Sequence, residues 1–549
     1  MKLHPIVERL LAKRGVGEEE REEFLDPSLS RLACVDALPG VRDAVAVILP
    51  FLRDGRKIVV YGDYDCDGVC ASAILVTALR RLGASADAFI PDRFTEGYGL
   101  TDAAIKRLFD EHPDVRLVVT VDNGISSARE VAAIRTRGVA VVVTDHHLPG
   151  PELPVADALV NPRVAAAPGC EGLCGAGVAF FLAGALVQVA ESEGLYGGGK
   201  FAAPLLVLAG LATVADIMPL RGQNRILVAQ SLNYFWRCAP IGLRELMLSA
   251  SRVAASRPCS RDYGFQLSPR INATGRVESA ILAYNLLMES DREVARNLAV
   301  RVNGINARRQ TEERELAFAL QSQIASGLPA CVARLEKGNT GVVGIVAARM
   351  MERLGVPVAV AVGDTGSVRA PDGYNVHDAL ASAADALERF GGHAAAGGFT
   401  VKEGRFEDFR SLFTAACAAQ YAADREAIEC AKAMEPDLWV EPGDLTMELY
   451  DALRVLEPFG EGNAEPVFGL RGVRFSDARP IGSEGQHATF AFVNKAVPRA
   501  VWWNHGAEVE AIRSHDVPRD VLFTLMVSDY GGDPHLELKL QDARVGASA

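Results

Sequence analysis

The chain has 549 residues, and at roughly 100 to 200 residues per domain this length predicts three or four domains. Hydrophobic residues make up 49% and charged residues 23%, an ordinary globular mixture that excludes a largely disordered, collagen-like or coiled-coil chain. The formal net charge of -13 excludes a protein coated in basic surface for duplex DNA, although a local basic groove for nucleic acid is compatible with it.

Residues 1–50 predict a short helical lead-in. Charged residues such as Glu8 and Lys13 interrupt its apolar positions, so it lacks the continuous apolar region of a secretory signal. The most apolar stretches, 175–190 and 201–215, are shorter than the roughly 18 to 20 residues that cross a bilayer. We therefore expect a soluble, cytoplasmic and monomeric protein that contacts no membrane.

Apolar strands alternate with helical segments between residues 51 and 290, which form the first predicted domain. The strands lie in KIVVYGD, DAFIPD, LVVTVDNG, VAVVVTDHH and ALVNP, and the helices between them cover 69–83, 101–111 and 128–138. Short, continuously apolar strands separated by helices indicate βαβ units and a doubly wound parallel sheet. From residue 175 onward this domain is predicted to be mostly helical.

Three further segments complete the predicted organisation. Residues 291–327 contain no Pro and many helix formers, so they suit one long connecting helix. Residues 328–425 return to the alternation of strands and helices, which indicates a second, smaller α/β domain. Apolar segments in 435–545 are spaced like the strands of a small β-barrel. The predicted fold is therefore two α/β domains joined by a helix and followed by a barrel.

Acidic and imidazole side chains follow three strands of the first sheet, at the point where each strand ends. They are Asp63, Asp65 and Asp67 after the first strand, Asp122 after the third, and Asp145, His146 and His147 after the fourth. Open α/β sheets bind ligands beyond the carboxyl ends of their strands, so we expect these groups to converge on one crevice. Asp216, after an apolar helix, is a candidate fourth contribution.

Five or more carboxylates in one crevice repel each other unless cations neutralise them. Oxygen ligands joined by imidazole suit Mn²⁺ or Mg²⁺, and a shared bridging carboxylate would hold two ions about 3.5 to 4 Å apart. Such a pair of ions hydrolyses phosphate esters by activating water and stabilising charge on the phosphoryl oxygens. The sequence therefore predicts a centre with two divalent cations, Mn²⁺ or Mg²⁺.

Simpler interpretations stay open for each segment taken alone. The run D-Y-D-C-D-G from Asp63 imitates the beginning of an EF-hand calcium loop, but its twelfth position would be Ile74 rather than Glu. Asp122 alone fits an Asn-Gly turn, and Asp145 with its two histidines fits a helix cap with surface imidazoles. The combination of all three on adjacent strands favours the metal centre.

Four segments resemble the motifs of the DHH phosphoesterase superfamily: GDYDCDG, VTVDNGISS, VTDHHLPG and ATVADIMPL, in this order. FGGHAAAGGF is similar to the glycine/histidine motif of the DHH-associated domain, DHHA1. PDRFTEGYGL, SPRINATGR, the linker helix and LRVLEPFGEGNAEPVF are similar to the RecJ family of bacterial single-strand-specific DNA exonucleases. The resemblance implies a parallel-sheet DHH domain at 51–290, the linker helix at 291–327, a DHHA1 domain at 328–425 and an OB-like nucleic-acid-binding domain at 435–545.

The resemblance also implies roles for individual residues. The implied metal ligands are Asp65, Asp67, Asp122, His146 and Asp216, with Asp122 as the bridge. The implied catalytic residues are His147, which faces the scissile phosphate, Asp63, which lies behind the ligands or holds a metal-bound water, and Asp145, which orients its neighbours. The implied substrate-binding residues gather around the 5′-terminal phosphate or belong to the glycine/histidine motif; they are Arg93, Arg276, Ser367, Arg369, Gly391, Gly392 and His393.

Two positions depart from the family pattern. Tyr61 stands where small-phosphatase relatives have His, and Gly338–Asn339 stand where the family has Trp-His. The Asn339 amide can hydrogen-bond to phosphate or sugar but cannot carry a positive charge. We therefore expect competent chemistry with weaker substrate binding, and we expect Asn339→His to lower the KM.

The function implied by the resemblance is a metal-dependent exonuclease that degrades single-stranded DNA from its 5′ end to 5′-mononucleotides, in DNA repair and recombination. Single-stranded DNA is the predicted partner, and a single-strand-binding protein and a helicase are candidate partners. Trp502 and Trp503 are candidates for base stacking, although adjacent strand residues point to opposite faces, so one of them belongs to the core.

Two other functions remain as alternatives. The first is a DHH-family nanoRNase or nucleotide phosphodiesterase, and the additional domain after residue 435 favours a polymer substrate instead. The second is a non-catalytic nucleic-acid-binding scaffold, against which the complete set of acidic residues and both histidines argues.

Overall fold

The computed structural model describes residues 3–97, 99–196, 202–250, 257–324, 329–432, 434–515, 517–529 and 532–545. These residues form two compact units. The first unit comprises Met1–Arg31, Pro219–Ala229 and Met434–Ala549, and the second comprises Leu32–Met218 and Gln230–Ala433. The second unit contains every predicted metal ligand and substrate-binding residue.

The first unit begins with two helices, α1 (Pro5–Lys13) and α2 (Glu18–Leu25). Pro5 opens α1 with a φ angle suited to a first helical position, and the His4 ring accepts a hydrogen bond from the N–H of Ile6 at 3.2 Å. The buried residues of α1 belong to the same hydrophobic core as the C-terminal sheet of this unit. Both helices lie within the segment 1–50, for which the sequence predicts a helical lead-in.

The second unit is built on a parallel sheet of five strands in the order β2-β1-β3-β4-β5. The strands are β1 (Ile58–Tyr61), β2 (Ala86–Phe89), β3 (Leu117–Val121), β4 (Ala140–Thr144) and β5 (Ala158–Val160), and the helices around them are α3 (Val41–Arg53), α4 (Cys66–Arg81), α5 (Asp102–Glu111) and α6 (Ala128–Arg135). Strands β1 and β3 are buried along their whole length, as their continuous apolar runs predict. The predicted parallel sheet is therefore confirmed.

Helices follow the sheet, as predicted. They are α7 (Gly175–Ser192), α8 (Ala202–Ala215), α9 (Gly222–Cys238), α10 (Ile241–Ala250), α11 (Ser260–Asp262), a π-helical turn at Tyr263–Leu267, α12 (Ser268–Val277) and α13 (Ile281–Met288). Among the described residues, α7 alone is long and apolar enough to cross a membrane by length and composition. It is longer than the apolar stretch 175–190, which by itself is too short to cross a bilayer. Because 61% of it is buried in the protein, it fits a core helix equally well.

A helix of 29 residues, α14 (Arg292–Leu320), forms the predicted connection. The Asp291 side chain caps its start by accepting hydrogen bonds from the N–H groups of Glu293 and Val294, both at 2.9 Å. The helix ends before the predicted limit at residue 327, and residues 325–328 lie outside the described part of the chain.

A second sheet of five strands follows in the order β6-β7-β8-β10-β9, with a parallel β6/β7 pair and antiparallel pairs elsewhere. The strands are β6 (Cys331–Leu335), β7 (Val358–Val362), β8 (Thr365–Arg369), β9 (Leu387–Gly392) and β10 (Ala396–Val401), with helices α15 (Val343–Leu354), α16 (Val376–Ser382), α17 (Phe406–Ala423) and α18 (Arg425–Lys432). This confirms a second, smaller α/β region after the long helix.

The C-terminal part of the first unit is a mixed sheet of seven strands in the order β11-β12-β16-β17-β15-β14-β13. The strands are β11 (Leu438–Trp439), β12 (Phe468–Val473), β13 (Phe475–Ile481), β14 (His487–Phe492), β15 (Ala500–Trp502), β16 (Arg519–Ser528) and β17 (His535–Val545), with helices α19 (Met447–Leu453) and α20 (Val509–Ser514). Trp502 is buried and Trp503 is exposed, so the prediction that one of the two tryptophans belongs to the core is confirmed.

Candidate metal centre and phosphate pocket

Asp65 and Asp67 lie at the start of α4, directly beyond the end of β1. The Asp65 side chain caps this helix, because its Oδ1 atom accepts hydrogen bonds from the N–H groups of Asp67 and Gly68 at 2.9 and 3.0 Å. The preceding Asp63 is buried, and its Oδ1 atom accepts from the N–H of Tyr64 at 2.7 Å. One strand end therefore delivers all three carboxylates.

Asp67 is held by the start of a second helix, α7. Its two carboxylate oxygens accept hydrogen bonds from the N–H groups of Gly175 and Ala176, both at 2.7 Å. The free N–H groups of a helix start stabilise a negative charge. Gly175 also leaves room for Asp122, since a β-carbon at this glycine would lie 2.5 Å from Asp122 Cβ. The start of α7 therefore brings Asp67 and Asp122 together.

Asp122 follows β3 with a left-handed backbone, at a φ of 63°. Such a conformation is uncommon for residues other than glycine and is often found where function requires it. The Asp122 Oδ1 atom is buried, makes no hydrogen bond and lies 3.1 Å from His146 Nε2. Both features are typical of a metal ligand.

Asp145 organises the two histidines that follow it. Its Oδ1 atom accepts from the N–H groups of His146 and His147 at 2.7 and 3.1 Å, and its Oδ2 atom accepts from the N–H of Ile125 at 2.9 Å. Its Oδ1 atom also lies 2.7 Å from His147 Nδ1. Burial disfavours a charged His147 ring, but Asp145, together with the charges of Asp216 and Asp67, outweighs burial and raises the pKa of His147 to about 9.

His146 points into the centre of the acidic cluster. Its Nε2 atom lies 3.1 Å from Asp122 Oδ1, 3.7 Å from Asp67 Oδ2 and 3.6 Å from Asp216 Oδ2. Neither ring nitrogen makes a hydrogen bond, and burial lowers the pKa of the ring. A buried, neutral imidazole surrounded by carboxylate oxygens is suited to metal ligation.

The electrostatics of the cluster fit divalent cations. Burial is the largest cause that raises the pKa values of Asp63, Asp67, Asp122 and Asp216, and neighbouring carboxylates raise them further; for Asp216 the value is about 8. Three sets of side chains each place ligand atoms within 4.8 Å of one another: Asp63, Asp65 and Asp122; Asp67, His146 and Asp216; and Asp122, His146 and His147. The predicted ligands are thus brought together, and bound cations would satisfy the unpaired atoms of Asp122, His146 and Asp216.

Three of the predicted substrate-binding arginines, Arg93, Arg276 and Arg369, affect one another electrostatically. Burial, followed by the charge of Arg93, lowers the pKa of Arg276 to about 10, and the same two causes in the same order lower the pKa of Arg369. In the described part of the chain none of the three forms an ion pair with a carboxylate. Half-buried arginines that share a site without acidic partners are suited to bind an anion.

The start of α15 lies beside this arginine cluster. Arg276 donates a hydrogen bond from Nη1 to the carbonyl of Gly341 at 3.1 Å. A β-carbon at Gly344 would lie 2.9 Å from an Arg369 terminal nitrogen and 3.5 Å from Ser367 Oγ, so both side chains reach the start of α15 and a larger residue at 344 would displace the guanidinium. Ser367 and Arg369 therefore lie close together, and the start of α15 links them to Arg276.

The glycine/histidine segment joins this region through the sheet. Gly391 and Gly392 on β9 pair with Gly398 and Gly397 on β10, and Gly398 pairs on its other side with Ser367. Gly391, Gly392 and His393 are exposed. Gly391 and Gly392 lie on the same sheet as Ser367 and Arg369, and His393 follows the end of β9. Among the described residues, the His393 side chain makes no hydrogen bond to the acidic cluster.

Asn339 makes all its side-chain hydrogen bonds within the protein. Its Nδ2 atom donates to the carbonyl of Arg276 at 3.1 Å and to Glu312 on α14 at 2.6 Å, and its Oδ1 atom accepts from the N–H of Gly341 at 2.7 Å. Both amide hydrogens are therefore used, which leaves no free donor to replace a substrate contact of the family histidine. Tyr61, the other departure, is buried and donates to the carbonyl of Gly99 at 2.9 Å.

Two asparagines support the site without any prediction from the sequence. The Asn272 Oδ1 atom accepts from the N–H of Cys66, between two of the predicted ligands, at 2.7 Å. Asn161 donates from Nδ2 to the carbonyl of His147 at 3.0 Å. The sequence could have indicated Asn161 as a site residue, because Asn161 directly follows β5 and residues after the strands of such a sheet line the site.

Comparison with known proteins places the chain in a class. Residues 57–207 match the DHH family, N-terminal domain; residues 327–419 match the DHHA1 domain; and residues 436–542 match the RecJ OB domain. Together with the parallel sheet and its acidic site, these matches define a DHH-type phosphoesterase with an OB domain and confirm the predicted fold class.

The closer relationships are to RecJ proteins. The single-stranded-DNA-specific exonuclease RecJ of Thermus thermophilus is 36% identical over 95% of this chain and 72% of that protein, and the one of Escherichia coli is 35% identical over 85% and 83%. The crystal structure of Thermus thermophilus RecJ with Mn²⁺ superimposes with a TM-score of 0.82 at 32% identity, covering 100% of this chain and 79% of that chain. A second structure of that protein contains Mg²⁺. The chain belongs to the RecJ family.

Proposed function

We propose that this protein is a metal-dependent exonuclease that hydrolyses single-stranded DNA from its 5′ end and releases 5′-mononucleotides. The observation that carries the proposal is the convergence of Asp67, Asp122, His146 and Asp216 beside a cluster of arginines that form no ion pair with a carboxylate among the described residues. Asp122, His146 and Asp216 each have a buried atom without a protein partner. Family membership supports the same activity, since the relatives are single-stranded-DNA-specific exonucleases. Repair and recombination of DNA are the cellular setting that follows.

Asp65, Asp67, Asp122, His146 and Asp216 would hold two divalent cations, Mn²⁺ or Mg²⁺, with Asp122 shared between them. When bound, such ions lower the pKa of a coordinated water and stabilise negative charge on the phosphoryl oxygens. Asp63 is buried next to Asp65, within 4.8 Å of the other ligand atoms of its set, and in this proposal it orients a water molecule or completes a coordination shell.

His147 supplies a positive charge to the phosphate that is cleaved. Without bound cations its pKa of about 9 favours a protonated ring near neutral pH, and Asp145 fixes the orientation of the ring through Nδ1. The other ring nitrogen, Nε2, is then a donor to a phosphate oxygen. Asp145 accepts hydrogen bonds from backbone and imidazole groups on several sides, so its role in the proposal is to position its neighbours.

The arginine cluster sets the point of cleavage. Arg93 lies over the ring of Tyr64, with its guanidinium carbon 5.2 Å from the ring centroid, and Tyr64 stands between Asp63 and Asp65. A 5′-terminal phosphate bound by Arg93, Arg276, Ser367 and Arg369 would therefore lie next to the metal centre. The first internucleotide linkage would then meet the ions, which makes the product a mononucleotide. Gly391, Gly392 and His393 would border the same strand from the second sheet.

The domain organisation in this proposal is the one given by the sequence: the DHH domain at 51–290, the linker helix at 291–327, the DHHA1 domain at 328–425 and the OB-like domain at 435–545. A single strand inside a cell is exposed by unwinding and is coated by other proteins. We therefore include a helicase and a single-strand-binding protein as partners, with a cytoplasmic monomer as the active form.

The test is a time course on a 5′-labelled single strand with Mn²⁺ or Mg²⁺, compared with the same strand labelled at its 3′ end, with the matching duplex and with a dinucleotide. The proposal expects early release of a 5′-labelled mononucleotide, loss of activity in EDTA and slow turnover of the duplex. Release from the 3′ end first, or turnover of the dinucleotide alone, contradicts it.

A further inference from the structure

An exposed arginine, Arg163, lies beside the metal centre on the side of His146 and Asp216. Its Nε atom donates a hydrogen bond to the backbone carbonyl of His146 at 2.8 Å. Its backbone N–H donates to Asn161 Oδ1 at 2.7 Å. Arg163 is therefore anchored at both its main chain and its side chain, next to a predicted metal ligand.

Asn161 makes this anchor rigid. The residue is fully buried directly after β5, and its Nδ2 atom donates to the carbonyl of His147 at 3.0 Å. One amide thus fixes the two-histidine turn and the backbone of Arg163 at the same time. Preorganisation of this kind is expected for a group that must meet a substrate at a defined place.

The terminal nitrogens of Arg163 are left for another partner. The contact with His146 uses Nε alone, and in the part of the chain that the structure describes no carboxylate forms an ion pair with Arg163. The carboxylates of Asp67 and Asp216 lie 3.7 and 3.6 Å from His146 Nε2, and neither pairs with Arg163. A fixed guanidinium with free terminal nitrogens matches the geometry of a phosphate.

Arg163 and Arg276 act on different ends of the acidic cluster. Arg276 lies at the end of β1, since a β-carbon at the preceding Gly275 would be 2.5 Å from the carbonyl oxygen of Tyr64. Arg163 lies after β5 and bonds to the carbonyl of His146 after β4, on the other side of the sheet order β2-β1-β3-β4-β5. A strand whose 5′ phosphate lies in the arginine cluster and whose first linkage lies at the metal centre continues toward the Arg163 side. The group of opposite charge that the strand offers there is its second linkage.

We propose that Arg163 binds the phosphodiester immediately 3′ of the scissile linkage and thereby holds the strand in the register for release of one nucleotide. This inference rests on the proposed exonuclease function and adds a substrate-binding residue to it. The competing explanation is that Arg163 only braces the backbone of His146. A brace would affect every substrate alike, whatever the charge of the second linkage.

The experiment uses two 5′-phosphorylated single strands that differ only at the linkage between nucleotides 2 and 3, which is a phosphodiester in one and an uncharged methylphosphonate in the other. Release of the first mononucleotide with Mn²⁺ is measured for the wild type, Arg163→Ala, Arg163→Lys and Arg137→Ala. The last variant is the matched control, because Arg137 is an exposed arginine that stacks on Phe109 just before the opposite, amino end of β4.

We expect the neutral linkage to lower kcat/KM of the wild type about tenfold, mainly through KM, as for the loss of one charge-assisted hydrogen bond. Arg163→Ala should show the same loss on the natural strand and no further loss on the methylphosphonate strand. Arg163→Lys should be intermediate, and Arg137→Ala should behave like the wild type.

Unchanged activity of Arg163→Ala on the natural strand overturns the inference. Equal losses of kcat on both strands with the wild-type linkage effect retained also overturn it, since that is the behaviour of a brace. If the wild type itself releases no mononucleotide, the exonuclease proposal fails first, so the two failures are distinguishable.

Discussion

The two five-stranded sheets of the second unit present polar side chains at different places. In the first sheet all strands are parallel, and the carboxylates and histidines follow the ends of β1, β3 and β4. In the second sheet Ser367 and Arg369 lie within the antiparallel strand β8, on the face opposite the buried Gly366 and Val368. The first sheet therefore gathers polar groups at the carboxyl ends of its strands, whereas the second sheet presents them on one face.

This difference has an energetic consequence. Carboxylates gathered at one edge are buried together, so their pKa values rise and cations must compensate the charge. Arg369 on the face of the second sheet remains half-buried and charged, and a substrate anion can neutralise it directly. Changes in the first sheet are thus expected to affect chemistry, and changes in the second to affect which strand end is accepted.

The largest effect is expected from the first sheet. Asp122→Asn removes the charge of the proposed shared ligand, so we expect single-turnover cleavage with Mn²⁺ to fall by at least about a thousandfold, the order that several kcal/mol of lost charge stabilisation implies. Stability in EDTA should not fall, because a raised pKa shows that the charge at Asp122 opposes folding. The exposed Asp102→Asn is the control and should be fully active.

A smaller effect is expected from the arginines. Arg276→Ala should lower kcat/KM on a 5′-phosphorylated strand by about tenfold to a hundredfold, as expected for one or two charge-assisted bonds, and should change activity on a 5′-hydroxyl strand far less. Ser367→Ala should do the same more weakly. The rates of each variant are measured in parallel on the 5′-phosphorylated and the 5′-hydroxyl strand. Equal losses on the two strands would show that Arg276 does not bind the 5′ phosphate.

The sequence predicted that the candidate metal ligands meet at the carboxyl ends of the strands, but it did not predict the hydrogen bonds that hold them there. Runs such as LVVTV followed by Asp122 indicate a buried strand and a residue at its end, so the convergence of the ligands could be expected. The hydrogen bonds from Gly175 and Ala176 to Asp67 could not, because they depend on where a helix 108 residues later begins. The same applies to Asn161, whose partners are fixed by the packing of β5 beside β4.

Asn339, which follows β6 of the second sheet, shows what the sequence could not predict there. The sequence showed that a family imidazole is replaced by an amide that can hydrogen-bond to phosphate or sugar, and we predicted weaker substrate binding on that basis. The structure instead directs the amide to Arg276, Glu312 and Gly341. Those partners come from three separate segments, and their meeting depends on how α12, α14 and α15 pack.

The pH dependence of stability should follow the first sheet. In EDTA, Asp216 has a pKa of about 8 and His147 of about 9, both above their unfolded values. Each binds its proton more tightly in the folded state, so folding loses stability as pH rises from about 6 through 8. His146 has a lowered pKa and acts in the opposite direction, but mainly below about pH 6.5.

We therefore expect a lower Tm in EDTA at about pH 8 than at about pH 6, and a larger rise of Tm on addition of Mn²⁺ at the higher pH, because metal binding displaces the protons. Thermal unfolding at both pH values gives the answer. An Mn²⁺-induced rise that is equal or larger at the lower pH would contradict the assignment of these carboxylates as ligands.

The smallest effect is expected at Asn339, where the two sheets' regions meet through Arg276. Asn339→Asp keeps the oxygen that accepts from the N–H of Gly341 but loses both donors, so the carbonyl of Arg276 is released and a charge faces Glu312. We expect the preference for a 5′ phosphate to fall by about two- to fivefold, the scale of one neutral hydrogen bond, while kcat on a 5′-hydroxyl strand stays constant. In an Arg276→Ala background the same change should have no further effect on the preference, because Asn339 acts through that arginine. An additive loss in the double variant would instead show that Asn339 contacts the substrate itself, and a gain in affinity with Asn339→His would support that contact as well.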